Sequence, residues 1–544
     1  MPEICSALRT LGDRYVAELF AHDPGAARAA GDHSHDGLLG PVGADATARR
    51  LTDLEAMAAE LGALEASPDR APATAEERAE AITLRHRLAF ERFQLCELDA
   101  ARRNPLDTLF RGADPQPYCT HDYAPVPDRA EGLAEHLGGV PHWLDAALGE
   151  LGASLDEGPR RVAVEAARGL ASFYRNDLDS VLPLDGHPDL RSRLHAAAAA
   201  AGDACERYAS TIDGRGAAPT PPLGERRFLA MLAAQEGVTG TLASLRATAD
   251  AELSSLRAQF DEVAGQVAPG RGVAAAIALM EADHPSAETL VDEAAAGLDR
   301  IRDFWRERDV VTIPDAPCRV QPTPPFLRFI SAAFDGAGTL AAPDVQSNYI
   351  ITPVESTWTA EQADEWLRSL NFWLLENVGV HEVYPGHFVH SVLAHDQPSL
   401  LRRTGWVSGF GEGWAHYTEQ LAIEQGLAEG RPLLHLAQVQ DALLRACRFR
   451  ATLALHTEGA TVDDATALFV EHTGVPEFPA RREAERGTFD PMYLAYTYGK
   501  LQILSWRREL ETRPGFSLRD FHDTMLRSGF PPLAAVHELV LARD

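Results

Sequence analysis

Residues 381–395 read HEVYPGHFVHSVLAH and hold four of the chain's 20 histidines, where an even spread would place fewer than one. Neutral imidazole is the commonest zinc ligand, and a catalytic zinc takes three protein ligands and leaves one position for water. The metal brings the pKa of that water to about 7, so hydroxide forms at neutral pH. A carboxylate beside the first histidine can accept the water's proton. In the familiar HExxH arrangement both histidines lie on one helical face at i and i+4. Here His381 and His387 stand six apart, with Tyr384-Pro385-Gly386 between them. A third ligand is expected from a separate downstream element. In GFGEGWAHYTEQLA (409–422), Glu412 opens an apparent helix whose face includes His416 and Glu419, flanked by Trp414 and Tyr417. Taken alone, Glu412 is also the residue type favoured at a helix N-terminus, and His395 reads as an ordinary structural histidine.

The spacing constrains the backbone. Residues six apart on a regular helix point about 240° apart, so His381 and His387 cannot share one ion on an unbroken helix. The ring of Pro385 would clash with the carbonyl four residues before it, that of His381, and proline donates no hydrogen bond. Gly386 tolerates unusual dihedrals. The helix should therefore break or bulge across Tyr384-Pro385-Gly386 and return His387 to the face of His381. The competing picture is a regular helix from Pro385, with His387 and His390 as the ligand pair.

Most of the chain that must position these residues reads as helix. Leu242, Leu245, Leu253, Leu256, Phe260, Val263 and Val267 recur mainly at steps of three and four. Residues 76–101, 159–182, 188–213, 286–308 and 431–456 have the same character. RGAAPTPPLGE (215–225) reads as a linker or loop. Residues 309–356 turn to β-branched and aromatic residues punctuated by Pro and Gly, which predicts a small sheet. Thr359 with Gln362 resembles a capping box, followed by an apolar stripe (Ala363, Trp366, Leu367, Leu370, Trp373, Leu374) running toward residue 381. The expected organisation is an N-terminal helical region (1–214), a linker and helical region (215–308), and a catalytic region (309–544).

Composition narrows the partners. Acidic residues outnumber basic ones by 80 to 50, for a net charge of −30. Such a surface repels nucleic acid and anionic membranes. Lys500 is the single lysine, which reads as a coding bias toward arginine. Six scattered cysteines (Cys5, Cys96, Cys119, Cys205, Cys318, Cys447) form no CxxC and no disulfide scaffold. The N-terminal twenty residues lack a secretory pattern, and no apolar run nears about 18 residues. A cytoplasmic protein is expected.

HExYPGH followed by EGWAxYxE resembles the bacterial domain-of-unknown-function family 885, which looks like a branch of the gluzincin zinc metallopeptidases. The similarity runs from DPGAARAAGDHSHDG near the N-terminus to LAYTYGKLQI (494–503) and FHDTMLRSGFPPL near the C-terminus. It implies a mainly α, zincin-like helical fold with a small β-sheet near the active site. It further implies zinc held by His381, His387 and Glu412, with Glu382 as general base and Tyr496 as donor to the oxyanion. Tyr498, Arg448, His456 and Arg486 fall in matching stretches as substrate contacts, the alternatives being core packing for the tyrosine and ion pairs for the arginines. Two departures stand out: His390 where the family has Gln, and Thr452 where it tends to have Asp. His390 is then a second-layer group, a fourth ligand or a substrate contact.

The resulting expectation is metal-assisted hydrolysis of a peptide or related amide, of short peptides by analogy with helical oligopeptidases. The segment Asn348–Thr352 would present a sheet edge to an extended substrate. One rival is a metal-dependent amidase or tailoring enzyme of secondary metabolism. A di-iron site wants two Glu-x-x-His pairs, and only Glu281/His284 occurs. The other rival is a non-catalytic helical binding protein.

Overall fold

Alanine, leucine, glutamate and arginine hold the helical conformation at little entropic cost, and a chain rich in them folds mainly as α-helix. The computed structural model describes residues 6–328 and 330–542. Cys5 lies outside the described residues; the other five cysteines are free thiols. Pro188–Asp213 is a single helix over the expected span, with proline in its first turn and Leu194, Ala198, Ala201, Cys205, Tyr208 and Ile212 on its buried face. Proline is preorganised there because its missing N–H is one the first turn leaves unpaired anyway. Other predicted helices are cut shorter. The 76–101 segment runs as Ala75–Phe93, then unwinds through a wider turn to Asp99, a non-glycine residue in the left-handed region. Thr74, Thr241, Thr359 and Thr461 each close a capping box.

Two expectations are corrected near the site. The apolar stripe after Thr359 is not one helix: Ala360–Ser369 ends at Leu370, and Asn371 caps a second helix, Phe372–Glu382, by accepting from the Leu374 N–H at 3.0 Å. Asparagine competes for local backbone donors and so restarts helices. The segment Asn348–Ile351 is also not an edge. It is the central strand of three, parallel to Arg319–Pro322 and antiparallel to Ala332–Asp335. All four of its residues are buried, which explains a continuous apolar run better than an edge does. Within 215–225, Gly216–Ala218 adds a short strand parallel to Ser154–Asp156.

The central strand divides two cores. Ile350 faces a core built by the helices Val126–Glu150, Glu157–Asn176 and Pro188–Asp213. Tyr349 and Ile351, on the opposite face as strand alternation requires, join a core with Trp305, Val380, Trp414 and Ile503. A third core packs Leu256 and Phe260 against Leu443 and Phe469, and Leu401 inserts among the N-terminal helices. Apolar packing thus runs across the boundaries at 214 and 308. The N-terminal helices also hold the sheet through polar contacts. Asp335 accepts from His121 at 3.0 Å, Gln116 at 2.9 Å and Asn348 at 3.0 Å.

Candidate metal centre

The helix Phe372–Glu382 delivers His381 and Glu382, and it stops where Pro385 requires. The N–H groups of Tyr384 and Gly386 reach the carbonyls of Gly379 and Val380, both at 3.1 Å, five and six residues back instead of four. The Tyr384–Pro385 peptide is cis. A Cβ at Gly386 would run into the His381 carbonyl, so only glycine lets the backbone fold back this tightly. A new helix, His387–Ala394, starts immediately. The fully buried Trp414 pins the turn by donating from its indole to the Pro385 carbonyl at 2.9 Å. The His381 and His387 rings end 4.8 Å apart and nearly perpendicular.

Glu412 enters one turn into the helix Ser408–Glu424. Its Oε2 lies 3.4 Å from Nε2 of both histidines, and one ligand atom from each of the three residues falls within 4.8 Å of the others. Glu412 Oε2 is buried without a hydrogen-bond partner, as is His387 Nδ1. Leaving a buried acceptor unpaired costs about 1–3 kcal/mol. Two imidazoles and a carboxylate converging on such an atom fit the donor set of a catalytic zinc. Burial pushes the Glu412 carboxyl up, but the neighbouring His387 and His381 outweigh it and hold it well below the usual range.

Behind the cluster every polar atom of one carboxylate is used. Glu419, fully buried, takes His381 Nδ1 at 2.6 Å, His416 Nδ1 at 3.3 Å and Arg445 at 3.2 Å. Arg445 reaches Asp441 at 2.6 Å with its other arm. Occupying Nδ1 this way leaves Nε2 of His381 aimed at Glu412, the usual support for a ligating histidine. Burial and Arg445 push the His381 pKa down, yet Glu412 and Glu419 win and raise it to about 10. Burial and Lys500 drive His416 down to about 3, so that ring is neutral.

Glu382 is half-buried and accepts the backbone N–H of Phe334 at 2.8 Å. That donor belongs to the edge strand Ala332–Asp335, so the small sheet does border the cluster. Tyr496 stacks near-parallel to His381 at 6.3 Å, with the guanidinium groups of Arg445 and Arg448 over its face at 5.6 and 5.3 Å. Burial, then the Glu412 charge, push its phenol far above the usual range. The helix carrying it, Ala495–Leu510, crosses the Glu412 helix where a Cβ on Gly413 would meet the Gly499 backbone at 2.6 Å.

Other sequence candidates fall elsewhere. His390 Nε2 donates to the Gly529 carbonyl, 2.7 Å away, between Phe410 and Phe530, and burial lowers its pKa to about 3. It does not converge with His387. His456 bonds the Gly487 carbonyl at 2.9 Å and stacks on Phe228. Arg448 forms two bonds to Glu483, and Arg486 two to Asp490. Tyr498 packs edge-on to Phe449. Sequence reasoning missed Arg445 and Asp441, whose i, i+4 spacing was the only signal. It also missed Trp406, packed 5.3 Å from His387, and Glu236, which accepts the Gly409 N–H at 2.8 Å at the start of the Glu412 helix.

No curated protein matches this chain. The fold is shared with a "putative lipoprotein of unknown function" from Shewanella oneidensis, at 20% identity and a TM-score of 0.76 over 98% of this chain and all of that one. A second structure, also described as a "putative lipoprotein", from Colwellia psychrerythraea, superposes with a TM-score of 0.80 at 18% identity over 99% of both chains. Residues 24–540 match the family described as "Bacterial protein of unknown function (DUF885)", and the chain belongs to that family.

Proposed function

We propose that this chain is a zinc-dependent hydrolase of peptide or related amide bonds, with a zincin-like, gluzincin-related centre. The observation that carries this reading is the convergence of His381, His387 and the half-buried Glu412, whose Oε2 lacks a partner, with Glu382 following His381 in the chain. The triad would hold the ion, which when bound acidifies a water and polarises the scissile carbonyl. Glu382 takes the water's proton and returns it to the leaving amine, as a positioned general base does. The Phe334 N–H fixes one of its oxygens and leaves the other for this task. Tyr496, kept protonated, donates to the developing oxyanion. Glu419 holds the His381 ring in the orientation the ion needs.

Elemental analysis of purified protein tests the metal, and a short-peptide library with and without chelator tests the reaction. About one zinc per chain and chelator-sensitive cleavage are expected. Two irons, or no metal after zinc is supplied, would overturn the assignment. Zinc without any peptide cleavage would shift the reading to an amidase or tailoring enzyme. Among the described residues no helix is long and apolar enough to cross a membrane. Free thiols favour the cytoplasm as the compartment, and the lipoprotein descriptions of the structural neighbours favour a membrane anchor; cell fractionation separates these.

A further inference from the structure

A cavity of about 660 Å³ lies between the N-terminal helices and the segments that lead into the two site helices. On the site side its wall includes Trp406–Ser408, just ahead of Glu412, and Pro491–Met492, just ahead of Tyr496. The N-terminal helices add Arg87 and Arg111 to its lining. Its size is that of a small-molecule pocket, which spans about 300–1,000 Å³. Trp406 belongs to both places: its indole packs 5.3 Å from the His387 ring, and it remains 44% exposed, unusual for a tryptophan.

Arg87 stands beside the same loop. Its Nη2 donates to the Thr404 carbonyl, and its guanidinium lies against Gly405, where a Cβ would run into it. Gly405 adopts φ of +85°, so glycine is required there twice over. Arg87 Nε is buried without a partner, and among the described residues no carboxylate lies within ion-pair distance of this guanidinium. The nearby Glu91 is committed to Arg50, at 2.6 and 2.8 Å, and to Tyr15 at 3.2 Å. Two other acids on the wall are also engaged, Asp490 by Arg486 and Asp23 by Arg111 at 3.6 Å, and Glu150 is a further carboxylate of the lining. Burial pushes the Asp107 carboxyl toward its neutral form. In a chain of net charge −30, an anion enters such a chamber only if a dedicated cation receives it.

We propose that this cavity takes the part of the substrate on one side of the scissile bond, over the Trp406 lip, and that Arg87 binds a carboxylate on it. The substrates are then peptides or amides that end in a free carboxylate. This rests on the hydrolase reading above and names its substrate class. A charge-assisted arginine–carboxylate pair is among the stronger polar contacts, and here it would also satisfy an otherwise unmatched buried cation.

The test uses a pooled tetrapeptide library as free acids and the same pool as C-terminal amides. Equilibrium dialysis against zinc-loaded Glu382→Gln protein reads binding without turnover. Free acids should be retained about tenfold or more over amides, and Arg87→Gln in that background should bring the two pools to parity. Arg87→Lys, which keeps the charge, should keep part of the preference, and Trp406→Ala should weaken retention of both pools. Equal retention of acids and amides, retention of neither, or a preference that survives Arg87→Gln overturns the proposal. Wild-type cleavage of both pools without preference leaves the hydrolase reading standing and removes this one. Selective retention of acids with no cleavage by wild type keeps Arg87 as a carboxylate site and overturns the hydrolase reading together with the substrate class built on it.

Discussion

Glu412 and Glu419 sit seven residues apart on one helix, in opposite surroundings. Around Glu419 every buried charge is answered: both oxygens are bonded, and Arg445 is held between Glu419 and Asp441. Around Glu412 the same residue types converge and leave an oxygen bare. The charge-paired region is scaffold, because removing one partner strands the others. The bare region, on the reading proposed above, would hold a cation between its donors. The same chemistry in two wirings separates what fixes the site from what would act in it.

The sharpest way to break that comparison is Glu382→Gln, which should lower peptide hydrolysis by about 10²–10⁴-fold while zinc content and melting temperature stay as in wild type. Retained full activity would remove Glu382 from the mechanism. Next come the two helix carboxylates. Glu419→Ala should destabilise the fold by about 3–5 kcal/mol, because it abandons buried Arg445, and denaturant unfolding measures this. Glu412→Gln should abolish zinc retention yet leave the metal-free stability unchanged or higher. Equal destabilisation by both would erase the distinction between the two regions.

Glu236 sharpens the comparison from a neighbouring helix, Gly224–Glu236, whose last residue meets the start of the Glu412 helix. Burial, opposed by the Gly409 N–H, raises its pKa from 4.5 to about 7. The folded state thus binds this proton more tightly than the unfolded one. Stability from this group is greatest below about pH 4.5, falls between 4.5 and 7, and is flat above. The loss amounts to roughly 3 kcal/mol, and the difference in unfolding free energy between wild type and Glu236→Gln should trace that slope. No such difference would place Glu236 in contact with water. The smallest effect is expected at His390→Ala, which strands the Gly529 carbonyl for about 1–3 kcal/mol and leaves zinc stoichiometry untouched. Zinc loss in that variant would restore His390 as a ligand.

The sequence was most informative where covalent geometry forced an outcome. Pro385 cannot continue the helix from His381, and Gly386 alone fits against its carbonyl, so a break between the two histidines could be derived from spacing, while the choice of His381 or His390 as the partner of His387 could not. Thr359 and Gln362 announced their cap for a similarly local reason. Strand order was not legible, because the register of Asn348–Ile351 is set by two cores brought together from distant helices. Arg445 was hidden for the same reason: its helix is ordinary in pattern, and only the crossing with Phe372–Glu382 puts it behind His381. His390 misled because its type matched the cluster, while its Nε2 answers to a carbonyl 139 residues away.

The crossing at Gly413 and Gly499 carries a consequence for how the site can change. There two main chains touch with no side chain between them, so the separation of the helices that carry Glu412 and Tyr496 is inherited from backbone contact. Side chains can trade rotamers to absorb a neighbour's change in size; main chains in contact cannot. Divergence can therefore rework the walls of this site freely, but its aperture behaves like a fixed gauge. Widening the gap between these two helices means moving a main chain, and a single methyl at either glycine is the smallest change that would do so.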